Sequence, residues 1–173
     1  MAKPKISILL PTRKRTQALI NSLNSLITTA SDSANLEILI AYDEDDKESK
    51  QFFSEQWAGY ISQCNATSKI FETERFGYTR LNEYLNLLGE HAEGDWVFFW
   101  NDDALMLTDG WDNEVLKNDP NNIQLLRIPC STMNHPFALM PIFPRAWIDL
   151  FGMISPVSHS DWWIYNVTKP LNL

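Results

Sequence analysis

At 173 residues the chain is the size of one compact domain, long enough to bury roughly 70% of its unfolded surface around a single core. With 45% hydrophobic and 21% charged residues, and with 6 Gly against 9 Pro, it falls outside the disordered, collagen-like and repeat classes. Its 14 Lys and Arg against 22 Asp and Glu leave a net charge of −8, which opposes broad capture of nucleic acid or anionic lipid, so an anionic ligand needs local help such as a metal ion.

Lys5 to Leu10 reads as a short buried strand, and Leu19, Leu23, Leu26 and Ala30 then mark one face of a helix. Leu36 to Ala41 is a second apolar strand broken only by Glu37. Phe53, Trp57 and Tyr60 follow at helical spacing in a segment opened by the capping residues Asp45 and Asp46. Ser68 to Thr73 is a third, shorter strand, and Leu81, Leu85 and Leu88 define a third helix that stops near Gly89 or Gly94. Asp95 to Trp100 is too short and too apolar for a typical helix and suits a central strand. Ile123 to Ile128 and Phe137 to Phe143 read as two further strands, and Pro144 opens a helix that runs to Phe151 with Gly152 as its stop. Such alternation predicts an α/β fold: a mostly parallel sheet with helices on both faces.

Cys64 and Cys130 form no C-x-x-C pair, so neither a zinc site nor a disulfide framework is indicated, and reduced, buried, inert thiols are expected. The apolar run from Ile6 to Leu10 is too short for a signal-peptide core or a membrane span, which suggests a cytoplasmic protein. In that setting the sequons at Asn65 and Asn166 carry no meaning.

In open parallel sheets ligands bind beyond the carboxyl ends of the strands. Here those positions are polar: Pro11-Thr12-Arg13-Lys14-Arg15 after the first strand, Tyr42-Asp43-Glu44-Asp45-Asp46 after the second, Asn101-Asp102-Asp103 after the fourth. One cationic and two acidic clusters should face one crevice. Adjacent carboxylates repel unless something cationic lies between them, and hard oxygen ligands at a strand end suit Mg²⁺ or Mn²⁺ holding a diphosphate. A turn followed by a helix cap is the plain structural alternative for Asp102-Asp103.

The sequence resembles the family 2 glycosyltransferases, which have the nucleotide-sugar-binding GT-A fold. Ile6-Ser7-Ile8-Leu9-Leu10-Pro11-Thr12-Arg13 is similar to their first strand and nucleoside-contacting loop, and Ile38 to Asp43 to the strand whose terminal Asp contacts the base. Glu93 to Asp103 resembles the strand leading into the D-x-D metal motif, with Asn101 where the first Asp usually stands. Arg75-Phe76-Gly77-Tyr78-Thr79-Arg80-Leu81-Asn82 is similar to the basic segment flanking the nucleotide, an ordinary helix start being the alternative. The likeness covers about residues 5 to 112 and thins beyond, where Phe143-Pro144-Arg145-Ala146-Trp147, Gly152 and Asp161 resemble the acceptor half.

The resemblance implies a single GT-A-like domain, with a nucleotide-sugar half over 1–112 and an acceptor half over 113–173. It implies an inverting, metal-dependent transfer from a nucleotide-diphosphate sugar, such as a UDP-sugar, to a carbohydrate or other hydroxyl acceptor. Pro11, Thr12, Arg13, Asp43, Arg75, Arg80 and Asp102 would contact the nucleotide, and Asp103 with Asp102 would hold Mn²⁺ or Mg²⁺. Asp161 would be the general base, although it also suits the N-cap of a helix over Trp162 to Val167. Trp111, Trp162, Trp163 and His159 are acceptor-side candidates, whereas Trp57, Trp96, Trp100 and Trp147 need only packing as an explanation. His159-Ser160-Asp161 is no hydrolase triad, because consecutive residues do not make the required hydrogen bonds and no G-x-S-x-G elbow occurs. His91 and His135 carry little signal. The rivals are a non-catalytic nucleotide or carbohydrate module and a nucleotidyltransferase; the latter's Gly-rich signature after strand one is missing.

Overall fold

A computed structural model describes residues 5–131 and 138–171. The four apolar runs become parallel strands: β1 (Ile6–Thr12), β2 (Leu36–Asp43), β3 (Thr67–Thr73) and β4 (Trp96–Phe99). Two short strands, β5 (Leu126–Arg127) and β6 (Pro141–Pro144), complete a six-stranded sheet in the order β3-β2-β1-β4-β6-β5, with β6 antiparallel to both its neighbours. The expected mostly parallel α/β architecture is therefore present.

Side chains of a strand alternate between its two faces, so each central strand feeds two cores. Ile6, Ile8 and Leu10 of β1 join Ile38, Ile40 and Phe98 beneath α1 (Thr16–Thr29), α2 (Lys47–Glu55) and α3 (Trp57–Ile61). Leu9, Leu39, Val97 and Phe99 face the other way, against α4 (Leu81–Glu90). The first core also holds α5 (Trp111–Leu116), through Trp111 and Val115. The second takes Trp147 and Ile148 of α6 (Ala146–Phe151) and Ile164 of α7 (Ser160–Thr168). Each fully buried Leu or Ile contributes about 1.5–3 kcal/mol by leaving water. Trp57, Trp96, Trp100 and Trp147 are buried as expected.

Several expectations are corrected. The second helical segment is broken at Gln56, and Trp57 then donates its indole N–H to Ser68 Oγ at 3.2 Å. The third helix does end near Gly89, at Glu90, and Gly89 also serves close packing, since a Cβ there would lie 2.5 Å from Ile154 Cδ1. Pro144 ends β6 instead of opening a helix, which starts at Ala146, while Gly152 at φ 71° does stop it. The strand expected over Ile123 to Ile128 shrinks to two residues. Among the described residues of the strand expected over Phe137 to Phe143, Pro141 to Phe143 form strand, which extends to Pro144; Phe137 and His135 lie outside the described residues. Helix α5 was not expected; it is six residues long and opens on Gly110 in the left-handed region. Cys64 and Cys130 are half-buried rather than buried. No helix among the described residues is long and apolar enough to cross a membrane.

Candidate functional site

The carboxyl ends of β1, β2 and β4 open on one edge because the register is parallel: Thr12 lies opposite Tyr42, and Leu9 opposite Phe99. Across that edge the cationic and acidic clusters meet. Thr12 Oγ1 donates to Asp102 Oδ2 at 2.8 Å. Arg13 Nη1 donates to Asp43 Oδ2 at 2.6 Å, and its guanidinium also grips both oxygens of Asp45, the Nη2 arm at 3.0 Å. Arg15 Nη1 bridges Asp102 Oδ1 at 3.2 Å and Asp103 Oδ2 at 2.9 Å. The cationic and acidic clusters thus meet at the strand ends, and the cations between the carboxylates are the chain's own arginines.

The turn that aims them is unusual. Lys14 has φ 52°, a left-handed conformation uncommon outside glycine, and its backbone N–H donates to Asp46 Oδ2 at 2.7 Å. Fully buried Asp46 also accepts from Ser49 Oγ at 2.6 Å and from Ser49 N–H as the N-cap of α2. On the β4 side, Ser22 of α1 anchors the chain just before Asp102, donating to Asn101 O at 3.0 Å and accepting from the Trp100 indole at 2.7 Å. Asp102 and Asp103 lie in a turn with no helix directly after them, which removes the helix-cap alternative.

Charges respond to these contacts. The hydrogen bond to Asp45 raises the Arg13 pKa, and the same bond holds the Asp45 carboxyl below its ordinary value. Asp46 is also lowered: burial works against it, but the hydrogen bonds from Ser49 and Lys14 prevail. At the other arginine the partners differ. The field of Asp102 raises Arg15, yet burial pushes the Asp102 carboxyl upward despite Thr12 and Arg15, because desolvation outweighs both.

Asp43 is 1% exposed and fully engaged: Arg13 takes one oxygen and the Tyr84 hydroxyl donates to the other. Tyr84 Oη in turn accepts from the N–H groups of Phe76 and Gly77 at 2.9 and 3.1 Å. Sequence reasoning missed Tyr84 and the bridging role of Arg15; Asp46 caps α2 as expected, but its bond from the Lys14 amide was not foreseen. Tyr84 sits at core spacing with Leu81, Leu85 and Leu88, and only its hydroxyl hinted at more. Arg75 and Arg80 are exposed; Arg75 comes within 4.0 Å of Asp45, and Arg80 stacks over Phe76 at 4.7 Å. Pro11 is half-buried in β1.

On the other side of the chain the candidates scatter. Trp111 is corrected to a core residue: it is 3% exposed, and its indole donates to Leu26 O at 3.0 Å. Trp163 packs edge-on against Trp147 and Phe151, whereas Trp162 is 54% exposed. His159 is exposed and is the N-cap residue of α7, the place expected of Asp161. Asp161 lies in the first turn and accepts from Trp162 N–H at 2.8 Å.

Among the described residues no group of three or more His, Cys, Asp or Glu side chains converges as a cage for a metal. Mg²⁺ and related ions that keep their waters need only one or two carboxylates plus substrate phosphate oxygens. Asp103 fits that requirement, being exposed with one oxygen on Arg15, and Asp102 stands beside it with a desolvated carboxylate that a cation would neutralise. The donor set is compatible with an ion completed by substrate oxygens.

No protein-family model matches the chain, and no curated protein matches it in sequence. Its structure is similar to a mannosyltransferase, PcManGT of Pyrobaculum calidifontis, solved with GDP-Man and Mn²⁺, at a TM-score of 0.68 and 18% identity over 93% of this chain and 50% of that one. It is also similar to residues 1–349 of S. aureus TarS (TM-score 0.66, 16% identity, 90% of this chain, 53% of that one). The glycosyltransferase GlyE of Streptococcus pneumoniae TIGR4 gives 0.60 at 11% identity, over 97% of this chain and 39% of that one. TarS has also been solved with UDP and with UDP-GlcNAc. The chain spans about half or less of the length of these proteins. At such identities the likeness is one of fold: this chain has the α/β fold of GT-A-like glycosyltransferases.

Proposed function

We propose that the chain is a nucleotide-diphosphate-sugar-dependent glycosyltransferase of the family 2 type, transferring a hexosyl group to an acceptor hydroxyl with inversion. The observation that carries this reading is the meeting of three strand ends, where Thr12, Arg13 and Arg15 face Asp43, Asp102 and Asp103 across one crevice. The solved structures of the same fold, with GDP-Man and Mn²⁺ in one and UDP-GlcNAc in another, support a nucleotide-sugar donor. Residues 1–112 would then form the nucleotide-sugar half and 113–173 the acceptor half.

In this mechanism Thr12 and Arg13, steadied by Asp43, line the nucleoside end of the crevice, and Arg75 and Arg80 supply positive charge beside the phosphates. Asp103, with Asp102 beside it, would hold Mn²⁺ or Mg²⁺, which when bound supplies Lewis-acid neutralisation of the departing diphosphate. Arg15, released from the two carboxylates, has the reach and charge to meet a phosphate oxygen. Asp161 takes the proton of the acceptor hydroxyl as that oxygen attacks the anomeric carbon, and the donor's glycosidic bond to phosphate breaks on the opposite face. Exposed Trp162 and His159 flank Asp161 and would face the acceptor.

The test is release of UDP or GDP from UDP-sugars and GDP-sugars with Mn²⁺ present, in the parent and in Asp161→Asn. Turnover in the parent that is lost in the variant supports the enzyme. A second reading, a non-catalytic nucleotide-binding module, is favoured by one observation, the occupation of both Asp102 and Asp103 by Arg15. It predicts nucleotide binding without turnover in either protein.

A further inference from the structure

Tyr84 is 6% exposed on α4, yet its hydroxyl is the hub of a polar junction that core packing does not require. It donates to buried Asp43 at the end of β2 and accepts two backbone N–H groups, from Phe76 and Gly77, in the 74–80 segment. Its ring also packs edge-on against Phe76 with centroids 4.8 Å apart. Gly77 has φ 69°, a backbone conformation that residues other than glycine rarely adopt. Beyond Asp43 the connection continues to Arg13, Asp45 and Arg75, and beyond Phe76 it reaches Arg80, which stacks on the Phe76 ring.

We infer that Tyr84 is a positioning residue for donor binding: its hydroxyl, held by Asp43, fixes the 74–80 segment so that Arg75 and Arg80 stand ordered beside the crevice. The inference rests on the nucleotide-sugar reading above and adds to it a residue outside the crevice itself. A phenylalanine would fill the same core volume but would leave Phe76 N–H, Gly77 N–H and one Asp43 oxygen without their partner. Loss of the one acceptor shared by two amides frees the segment locally, while the helix below keeps its packing through Leu85 and Leu88.

The experiment compares the parent, Tyr84→Phe and Ile148→Val, the last being a core change in the same apolar cluster that removes none of the junction's hydrogen bonds. Two quantities are read: hydrogen exchange at the Phe76 and Gly77 amides, and Kd for UDP and GDP by calorimetry. Tyr84→Phe should exchange both amides at least tenfold faster and weaken whichever nucleotide the parent binds by about tenfold, while Ile148→Val leaves both readings at parental values. Unchanged amide exchange and unchanged Kd in Tyr84→Phe would overturn the inference and leave Tyr84 a core residue. Faster exchange with an unchanged Kd would also overturn it, since the ordered segment would then not serve binding. If the parent binds neither nucleotide, the positioning role for donor binding falls, although the exchange data still report whether Tyr84 orders the segment.

Discussion

Replacing Arg15 by Gln should tighten Mn²⁺ binding. In the folded chain one guanidinium bridges Asp102 and Asp103, so an ion that uses these carboxylates must first break both contacts. Arg15 is 46% exposed and Asp103 59%, so that arm counts as an exposed ion pair of about 0.2–1 kcal/mol. The arm to Asp102 is better shielded, at 10% exposure, but long at 3.2 Å, and contributes about 1 kcal/mol. Together they amount to about 1–2 kcal/mol, a Kd for Mn²⁺ roughly 5- to 30-fold lower in Arg15→Gln. Mn²⁺ titration followed by electron paramagnetic resonance reads this directly without nucleotide or turnover. The difference should shrink as salt is added, because the exposed arm is screened. An equal or weaker Mn²⁺ affinity in Arg15→Gln, or full retention of Mn²⁺ binding in Asp103→Ala, would refute the placement of the ion at this pair.

Asp161→Asn keeps an acceptor for Trp162 N–H and removes basicity; turnover should fall about 10²- to 10⁴-fold, and a parental rate would reduce Asp161 to a first-turn acid of α7. Thr12→Val removes a buried, charge-assisted donor to Asp102, for a loss of about 1.5–3 kcal/mol and a Tm lower by about 3–12 °C in a calorimetric scan; an unchanged Tm would contradict this role. Burial opposes ionised Asp112, but hydrogen bonds from Ser31, Asp32 and Asn35 prevail and lower its pKa. Its contribution is therefore present above the ordinary value of 3.8 and lost as pH falls below it. Asp102 has the opposite sign: its raised pKa makes stability fall as pH rises above 3.8. Urea unfolding across acid pH should show Asp112→Asn flattening the loss below 3.8 and Asp102→Asn flattening the slope above it, and a parental profile in either variant would count against that assignment.

The parallel half of the fold was legible because its strands are continuous apolar runs and α1 keeps strict spacing at Leu19, Leu23 and Leu26, patterns that burial on two faces imposes. Beyond Asp103 the sequence was less informative. A two-residue strand such as β5 and a six-residue helix such as α5 are too short to complete a period, and Pro144 suits a helix start as well as the end of a strand. Within the site, the polar strand ends marked the crevice, but not its wiring. That Arg13 would turn to Asp43 and Arg15 to Asp102 depends on the left-handed backbone at Lys14, which no residue type there announces. Trp111 was misplaced for a related reason: proximity in sequence to Asp103 says nothing of direction, and its indole turns inward to Leu26. Tyr84 was hidden by its own apolar neighbours.

The central claim is that the crevice at the ends of β1, β2 and β4 binds a nucleoside diphosphate, and a thermal-shift panel of UDP, GDP, CDP and dTDP, each with and without Mn²⁺, tests it most directly. A ligand at 100 times its Kd stabilises the folded chain by about 2.7 kcal/mol, a rise in Tm of about 5–11 °C. The account predicts such a rise for at least one nucleotide, larger with Mn²⁺, and the loss of the Mn²⁺-dependent part in Asp103→Ala. An unchanged Tm with all four nucleotides, with and without Mn²⁺, would contradict it.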